Sequence, residues 1–266
     1  MDEVSLFKAR VKELSYRASS SGYITHTEFL SLSEQNIFYD YLKEEHIDYR
    51  KKQLSSSAFV FDGGHEEDDR KMIFFLPSYI TEDEFHQKHL DEDYISCLEI
   101  TPKVIKFAET LTHRDYLGAL KNLGFMRNRF GDILTDGTVA YLFCAREIKD
   151  QVIENLGKVR HTAVDVKEIK LSECPFTQRF LEKNLIVASD RLDVILGEVF
   201  NLSRRSAQEV IAQENVCIDG RTIMNNSFAL KENQRVSVRG HGKFIFVSSN
   251  GTTKKGRLKV KVKVFA

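Results

Sequence analysis

Between Tyr94 and Ile169 the hydrophobic period switches between two and 3.6 several times, and the resulting order of elements constrains the fold more than any single motif. YISCLEI reads as a strand. Thr112 caps a helix through LTHRDYLGALKNLG, with Asp115 at the capping-box position and Gly124 as its stop. GDIL and VAYLFC are strands joined by Thr135, Asp136 and Gly137, a hairpin signal. REIKDQVIENL is a second helix with Ile148, Val152 and Leu156 on one face and Gly157 after it, and HTAVDVKEI supplies the last strand.

The sum is β-α-β-β-α-β, the split unit of ferredoxin-like domains, which includes the RRM architecture. The third strand lacks the basic-Gly-aromatic-Gly signature of an RNA-binding RRM, although Tyr141 and Phe143 fall on one face and could stack on bases. Aromatic residues at period two are ordinary strand composition, so core packing or a domain contact is the preferred reading.

The flanks complete an α+β chain. In EVSLFKARVKEL, Val4, Phe7, Val11 and Leu14 form one helical face; Ser31 and Glu34 fit a capping box ahead of Ile37, Phe38, Tyr41 and Leu42. FVFDGG and KMIFFLP read as strands around the acidic loop GGHEEDDR, and the polar stretch PSYITEDEFHQKHLDEDY as a connection. From Ala188, RLDVILGEVF places Leu192, Ile195, Leu196 and Val199 on one face, and a second helix turns Ala207, Val210 and Ile211 inward. Asp219 and Gly220 supply the positive φ values of a two-residue hairpin. RVSVRG, KFIFVS and RLKVKVKVF complete a small sheet, with Asn250 and Gly251 turning between the last two. The expected domains are an N-terminal α/β domain over 1–80, an RRM-like domain over 94–172 and a small basic module over 188–266.

Charge is divided unevenly. Ala188–Ala266 holds 14 Lys and Arg against 7 Asp and Glu, leaving 25 against 32 for residues 1–187, and no acid follows Glu232. The basic end is expected to meet a polyanion. There is no run of 18 apolar residues, so no membrane span is expected. MDEVSLFKAR lacks the order of a signal peptide, which points to the cytoplasm. Cys97, Cys144, Cys174 and Cys217 lie 30 or more residues apart with no CxxC, and read as buried free thiols. The histidines form no HExxH and the acidic runs lack EF-hand order, so neither metal nor cofactor is expected.

The helix that opens SRRSAQEVIAQ has Arg204 and Arg205 behind its Ser203 cap, where the macrodipole disfavours cations. Either a phosphate completes that site or both arginines are solvated. Arg191, Arg221, Arg239 and Lys243 are expected to converge near the same edge, which favours the phosphate. In the tail, Leu258, Val260, Val262 and Val264 face one way and Arg257, Lys259, Lys261 and Lys263 the other. Same-face residues stand about 6.8 Å apart, comparable with phosphate spacing along one strand. Edge protection would explain the same lysines, but Lys254 and Lys255 extend the charge into the loop and favour RNA contact.

Residues 190–247 resemble the alpha-L RNA-binding module of the ribosomal protein S-four type. The likeness is carried by Arg191-Leu192-Asp193, Ser203-Arg204 with Gln208, then Val216, Ile218, Gly220, Val236 and Val238; Glu232-Asn233 stands where the module usually has Gly-Asp. The module implies contact with structured RNA through its second helix and adjoining loops. Over nearly the whole chain, LTHRDYLGALKNLGFMRNRFGDIL, FVFDGGHEEDDRKMIFFLP and RGHGKFIF resemble the YlmH family. That resemblance implies ribosomal RNA and tRNA on the large ribosomal subunit as partners, and a role in rescuing stalled peptidyl-tRNA complexes. The implied protein is a monomer, not an enzyme. A cell-division scaffold working through protein partners is the alternative, and an RNA-modifying enzyme a more distant one. Asp193 sits where pseudouridine synthases carry a nucleophile, yet no large catalytic domain accompanies it, and a helix-start or salt-bridge role is expected. His113, Arg114, Arg127 and Arg129 form a candidate second contact with anion or RNA.

Overall fold

Helix α1 (Glu3–Ser21) starts where Asp2 accepts a hydrogen bond from the Ser5 amide at 2.7 Å, and ends at Gly22. Its inward face is Val11, Leu14, Ser15 and Ala18, while Val4 is exposed, so the apolar stripe runs one turn farther along than the sequence spacing suggests. The computed structural model describes residues 2–66 and 68–265, and only the backbone of Asn250; Glu67 of the acidic loop lies outside the described residues. The chain divides into two units, Met1–Phe176 and Thr177–Ala266.

In the first unit, β1 (Thr25–His26) precedes α2 (Leu32–Glu44), which opens on the expected capping box: Ser31 Oγ accepts from the Glu34 amide and the Glu34 carboxylate from the Ser31 amide. With β2 (Gln53–Leu54), β3 (Ser57–Asp62) and β4 (Met72–Leu76) the sheet order is β1-β4-β3-β2. Every residue of β4 is buried, because this sheet is covered on both faces. Ile73 and Phe75 pack with Phe38 and Leu42 beneath the helices, and Met72, Phe74 and Leu76 point the other way.

The acidic stretch after Pro77 is helical, which corrects its reading as a connection. Thr81 caps a single turn, α3 (Glu82–Glu84), which runs on as a π-helix, Phe85–Tyr94. Phe85 and Leu90 are buried and five residues apart, the spacing of i→i+5 bonds, so a 3.6-residue period does not detect them.

Next come β5 (Ile95–Pro102), α4 (His113–Asn122), β6 (Phe130–Thr135), β7 (Ala140–Ala145), α5 (Lys149–Asn155), the short β8 (Lys158–Val159) and β9 (Thr162–Ile169). They form an antiparallel sheet in the order β6-β7-β5-β9-β8. Tyr116, Leu120 and Val152 of the helices pack on Leu98, Ile100 and Leu142. On the opposite face Ile95, Cys97, Tyr141 and Phe143 share one core with Val60, Met72 and Phe74 of the first sheet. The unit is four layers, helices outside and two sheets face to face, and Tyr141 and Phe143 lie in the seam between the sheets.

The second unit holds β10 (Phe180–Val187), α6 (Leu192–Phe200), α7 (Arg204–Ala212), β11 (Val216–Ile218), β12 (Arg221–Thr222), β13 (Gln234–Val238), β14 (Gly242–Thr252) and β15 (Leu258–Phe265). The antiparallel sheet runs β10-β15-β14-β13-β11-β12. Val236, Val238, Phe244, Phe246, Val260 and Val262 pack under Leu192, Ile195, Leu196, Ala207 and Ile211, so both helices cover one face. Asp219 (φ 48°) and Gly220 (φ 80°) make the expected hairpin. Asn250 and Gly251 do not make the last turn: β14 continues through Thr252 with two register irregularities, and the chain reverses at 253–256, where the Gly256 amide bonds Thr253 O at 2.9 Å. Nor is β15 an edge. It lies between β10 and β14, which removes edge protection as the reason for its lysines.

Candidate nucleic-acid interface

The start of α7 is organised around a carboxylate. Asp193, in the first turn of α6, is fully buried; Arg191 Nε and Nη2 each reach it at 3.0 Å, Gln208 Nε2 donates to it at 2.9 Å, and Arg204 Nε lies 3.9 Å from Oδ2. Burial alone would raise this carboxyl; the hydrogen bonds from Arg191 and Gln208 outweigh it and hold its pKa below the ordinary carboxylate value. The expected salt-bridge role of Asp193 is what the geometry shows. The bonds lock α6 to α7 and leave no side-chain surface on Asp193 for attack on a substrate.

Ser203 caps α7 by accepting from the Ser206 amide at 3.1 Å. Behind it the Arg204 side chain is 75% exposed and that of Arg205 89%, the latter paired with Glu209 at 2.9 Å. Asp193 therefore answers part of the unfavourable charge at this helix start from within, a contribution the sequence spacing did not reveal. Most of the guanidinium surface remains open to an anion.

The other expected residues do not all converge there. Arg239 is exposed and its amide bonds Asn215 O, past the far end of α7 from Arg204. Arg221 is exposed on the outermost strand. Lys243, Lys259 and Lys261 lie on the sheet face turned away from the helices, because the residues alternating with them fill the helix-side core. Lys254 and Lys255 are exposed in the turn before β15. Three residues of that sheet face escaped the sequence reading as site residues: Arg235, Phe180 and Phe265. Only cross-strand register brings them together with the lysines.

The second cluster also separates. His113 and Arg114 open α4, where Asp115 Oδ2 accepts from the Thr112 amide and hydroxyl at 2.8 and 2.7 Å. Arg114 lines a depression of about 440 Å³ with Asp115, Lys158 and Arg160; Arg160 lies 3.4 Å from Asp115 Oδ1, and the cations outnumber the acid. Arg127 and Arg129 do not join this depression, which corrects that expectation. Arg127 Nη1 donates to Phe130 O and Gly131 O at 2.7 and 2.9 Å, and burial with the nearby Arg70 brings its pKa down to about 10. Arg129 bridges Glu28, at 2.9 Å, and Glu147. Both guanidiniums hold the first unit together.

A cleft of about 970 Å³ in the first unit is lined by residues of both signs, among them His65, Glu66, His86, Lys88, Glu92 and Cys174. Its mixed charge does not suit a polyanion. Cys97 and Cys144 are buried as expected; Cys174 and Cys217 are only half-buried, which corrects the reading of all four as interior thiols.

Residues 91–173 match the family model described as "Putative RNA-binding domain in YlmH". The chain is 28% identical over 207 residues to the ribosome-associated protein quality control protein P2 of Bacillus subtilis (strain 168), a match covering 76% of each protein. A solved structure, the cell division protein ylmH from Streptococcus pneumoniae, aligns with 65% of this chain and 95% of its own at 22% identity and a TM-score of 0.47. The middle of the chain thus matches the RNA-binding domain family of YlmH proteins.

Proposed function

We propose that this protein binds RNA on the ribosome and acts there by binding, in the quality control of stalled complexes that hold peptidyl-tRNA. The observation that carries the reading is the start of α7, where two exposed arginines stand on a helix end fixed by the Arg191–Asp193–Gln208 clip. A phosphate backbone completes that constellation, since helix amides and guanidiniums both take anionic oxygens. The basic depression at Arg114, Lys158 and Arg160 supports a further contact from the middle domain. Ribosomal RNA and tRNA on the large subunit are the partners in this reading; the relative's name supports the ribosome and quality control. Contacts of this kind set position and not sequence, so recognition follows RNA shape.

Sedimentation with purified ribosomal subunits at low and high salt tests this. The wild-type chain is expected to pellet with the large subunit at low salt and to lose it steeply as salt rises, and an Arg204→Glu, Arg205→Glu variant to stay in the supernatant. Wild-type protein that pellets with neither subunit overturns the proposal; a variant that pellets like wild type overturns the assignment of the contact to the start of α7.

A further inference from the structure

We infer that the open face of the six-stranded sheet is a second RNA site, built for an unpaired strand and lying on the opposite side of the module from α7. The inference rests on the RNA-binding reading above and adds the class of RNA taken. Strand register places Phe180 opposite Phe265, Glu182 opposite Lys263, Asn184 opposite Lys261 and Ile186 opposite Lys259. The next strands bring Ile245 beside Lys263, Ser248 beside Lys261 and Arg235 beside Ile245. All of these side chains point away from the helices, because Val260, Val262, Phe244 and Phe246 alternate with them and fill the core.

Two features of that face select an unpaired polynucleotide. The first is charge. Arg235, Lys243, Lys259, Lys261 and Lys263 share the face with Glu182, which lies 2.8 Å from Lys261. The lysines of β15 repeat at about 6.8 Å, a spacing suited to successive phosphates of an extended strand. The second is aromatic. Phe180 and Phe265 meet edge to face at 5.0 Å, with Lys263 5.8 Å from the Phe180 centroid, Arg235 5.4 Å and Lys243 6.0 Å from that of Phe265. Rings among cations form a platform for unstacked bases, which a duplex does not offer. At the other end of the face a depression of about 380 Å³ is lined by Asn184, Ile186, Ser248, Lys259 and Lys261; its amide and hydroxyl can reach the edge of a base. A protein partner fits this surface less well, since cations dominate it and Ile186 is its most exposed apolar side chain, at 52%.

The test is fluorescence anisotropy with the full chain, using a labelled 12-nucleotide RNA of mixed sequence without self-complementarity and the same strand annealed to its complement. The unpaired strand is expected to bind more tightly than the duplex. Phe180→Leu with Phe265→Leu, which keeps apolar bulk and removes the rings, is expected to weaken single-strand binding about tenfold or more. Lys259→Glu with Lys263→Glu is expected to do the same without touching the core, and stands in should the first pair melt early. Lys12→Glu with Lys51→Glu, a charge-matched change on the first unit, is expected to leave binding within about twofold. Equal affinity for strand and duplex, or ring and lysine variants that bind like wild type, would falsify the inference. A wild-type chain that ignores the single strand yet pellets with the large subunit sinks this site alone. One that does neither takes the RNA reading down with it.

Discussion

The two larger sheets of this protein carry aromatic residues at period two and put them to opposite uses. In the five-stranded sheet Tyr141 and Phe143 face a second sheet, and Phe143 is fully buried with Phe74 and Ile95. In the six-stranded sheet Phe180 and Phe265 stand half-buried among lysines on a face that no helix of their unit covers. The comparison teaches that alternation specifies a strand and two faces, but what each face meets is decided by elements far away in the chain. In an RRM the sheet face is where aromatics stack on RNA. Here the first sheet occupies that face of the middle domain and closes Tyr141 and Phe143 off from bases.

The sharpest way to break this comparison is a pair of truncations. Phe143→Ala empties a site closed by the seam between the sheets and is expected to cost about 3–5 kcal/mol. Phe265→Ala removes a ring already in contact with solvent and is expected to cost about 1 kcal/mol or less. Urea denaturation of the two variants, read at matched m-values, measures both. Similar costs would mean that the two faces are equally buried and that the open sheet has a cover.

Much of the fold was legible, for reasons the same residues make plain. The middle domain could be read because its strands alternate cleanly and its helices carry caps and stops, Thr112 with Asp115 and then Gly124. Strand β10 was not, because FLEKNLIV mixes Phe180 and Ile186 onto an open face while Lys183, on the covered side, sends its ammonium to Val199 O at 3.0 Å. Its hydrophobic pattern therefore follows neither face. The π-helical stretch was hidden by its period. At the candidate site the cations could be picked out by composition, but not their sorting into α7, the sheet face and the interior. Arg127 and Arg129 look like Arg204 and Arg205 in sequence; only the carbonyls of Phe130 and Gly131 and the carboxylates of Glu28 and Glu147 distinguish them.

The first unit also buries a carboxyl that an open face would have left ionised. Asp68, 5% exposed, accepts from the His65 amide at 2.7 Å through Oδ2, while its other oxygen makes no hydrogen bond. Burial first, and Asp132 second, push its pKa up to about 8. Gly63 permits this packing, since a Cβ there would collide with Asp68 Oδ2 and Arg70 O. Unfolded chains release the proton near pH 3.9 and the folded protein holds it until about 8, so this group erodes stability as pH rises through that window, by up to about 1.4 kcal/mol per unit. Asp68→Asn removes the titration. It is expected to melt above wild type at pH 8, by at least about 1.4 kcal/mol, with the gain vanishing near pH 4. A gain independent of pH would show that Asp68 is solvated.

The finest probe of the two faces uses the native thiols. Cys97 and Cys144 sit on opposite faces of β5 and β7 in the five-stranded sheet, and each is fully buried, Cys97 in the seam and Cys144 under the helices. Cys217 lies on the open face of the other sheet, opposite Ser237 and Thr222, and is half-buried. Cys174 borders the cleft, and the hydrogen bond from the Cys97 thiol, with the Phe176 amide and His65 assisting against burial, draws its pKa below the usual thiol value. Labelling with iodoacetamide at pH 7, mapped by mass spectrometry, is therefore expected to mark Cys174 first and Cys217 next. Cys97 and Cys144 should follow at least about 100-fold more slowly, since each must wait for its cover to open. Raising the pH from 6 to 8 should accelerate Cys174 only about twofold, because its pKa of about 6 leaves about half of it thiolate at the lower end. Fast labelling of Cys144 alone would mean that the helices lift from the middle sheet. Fast labelling of Cys97 alone would mean that the two sheets part, which would return Tyr141 and Phe143 to solvent and make the middle sheet a stacking surface after all.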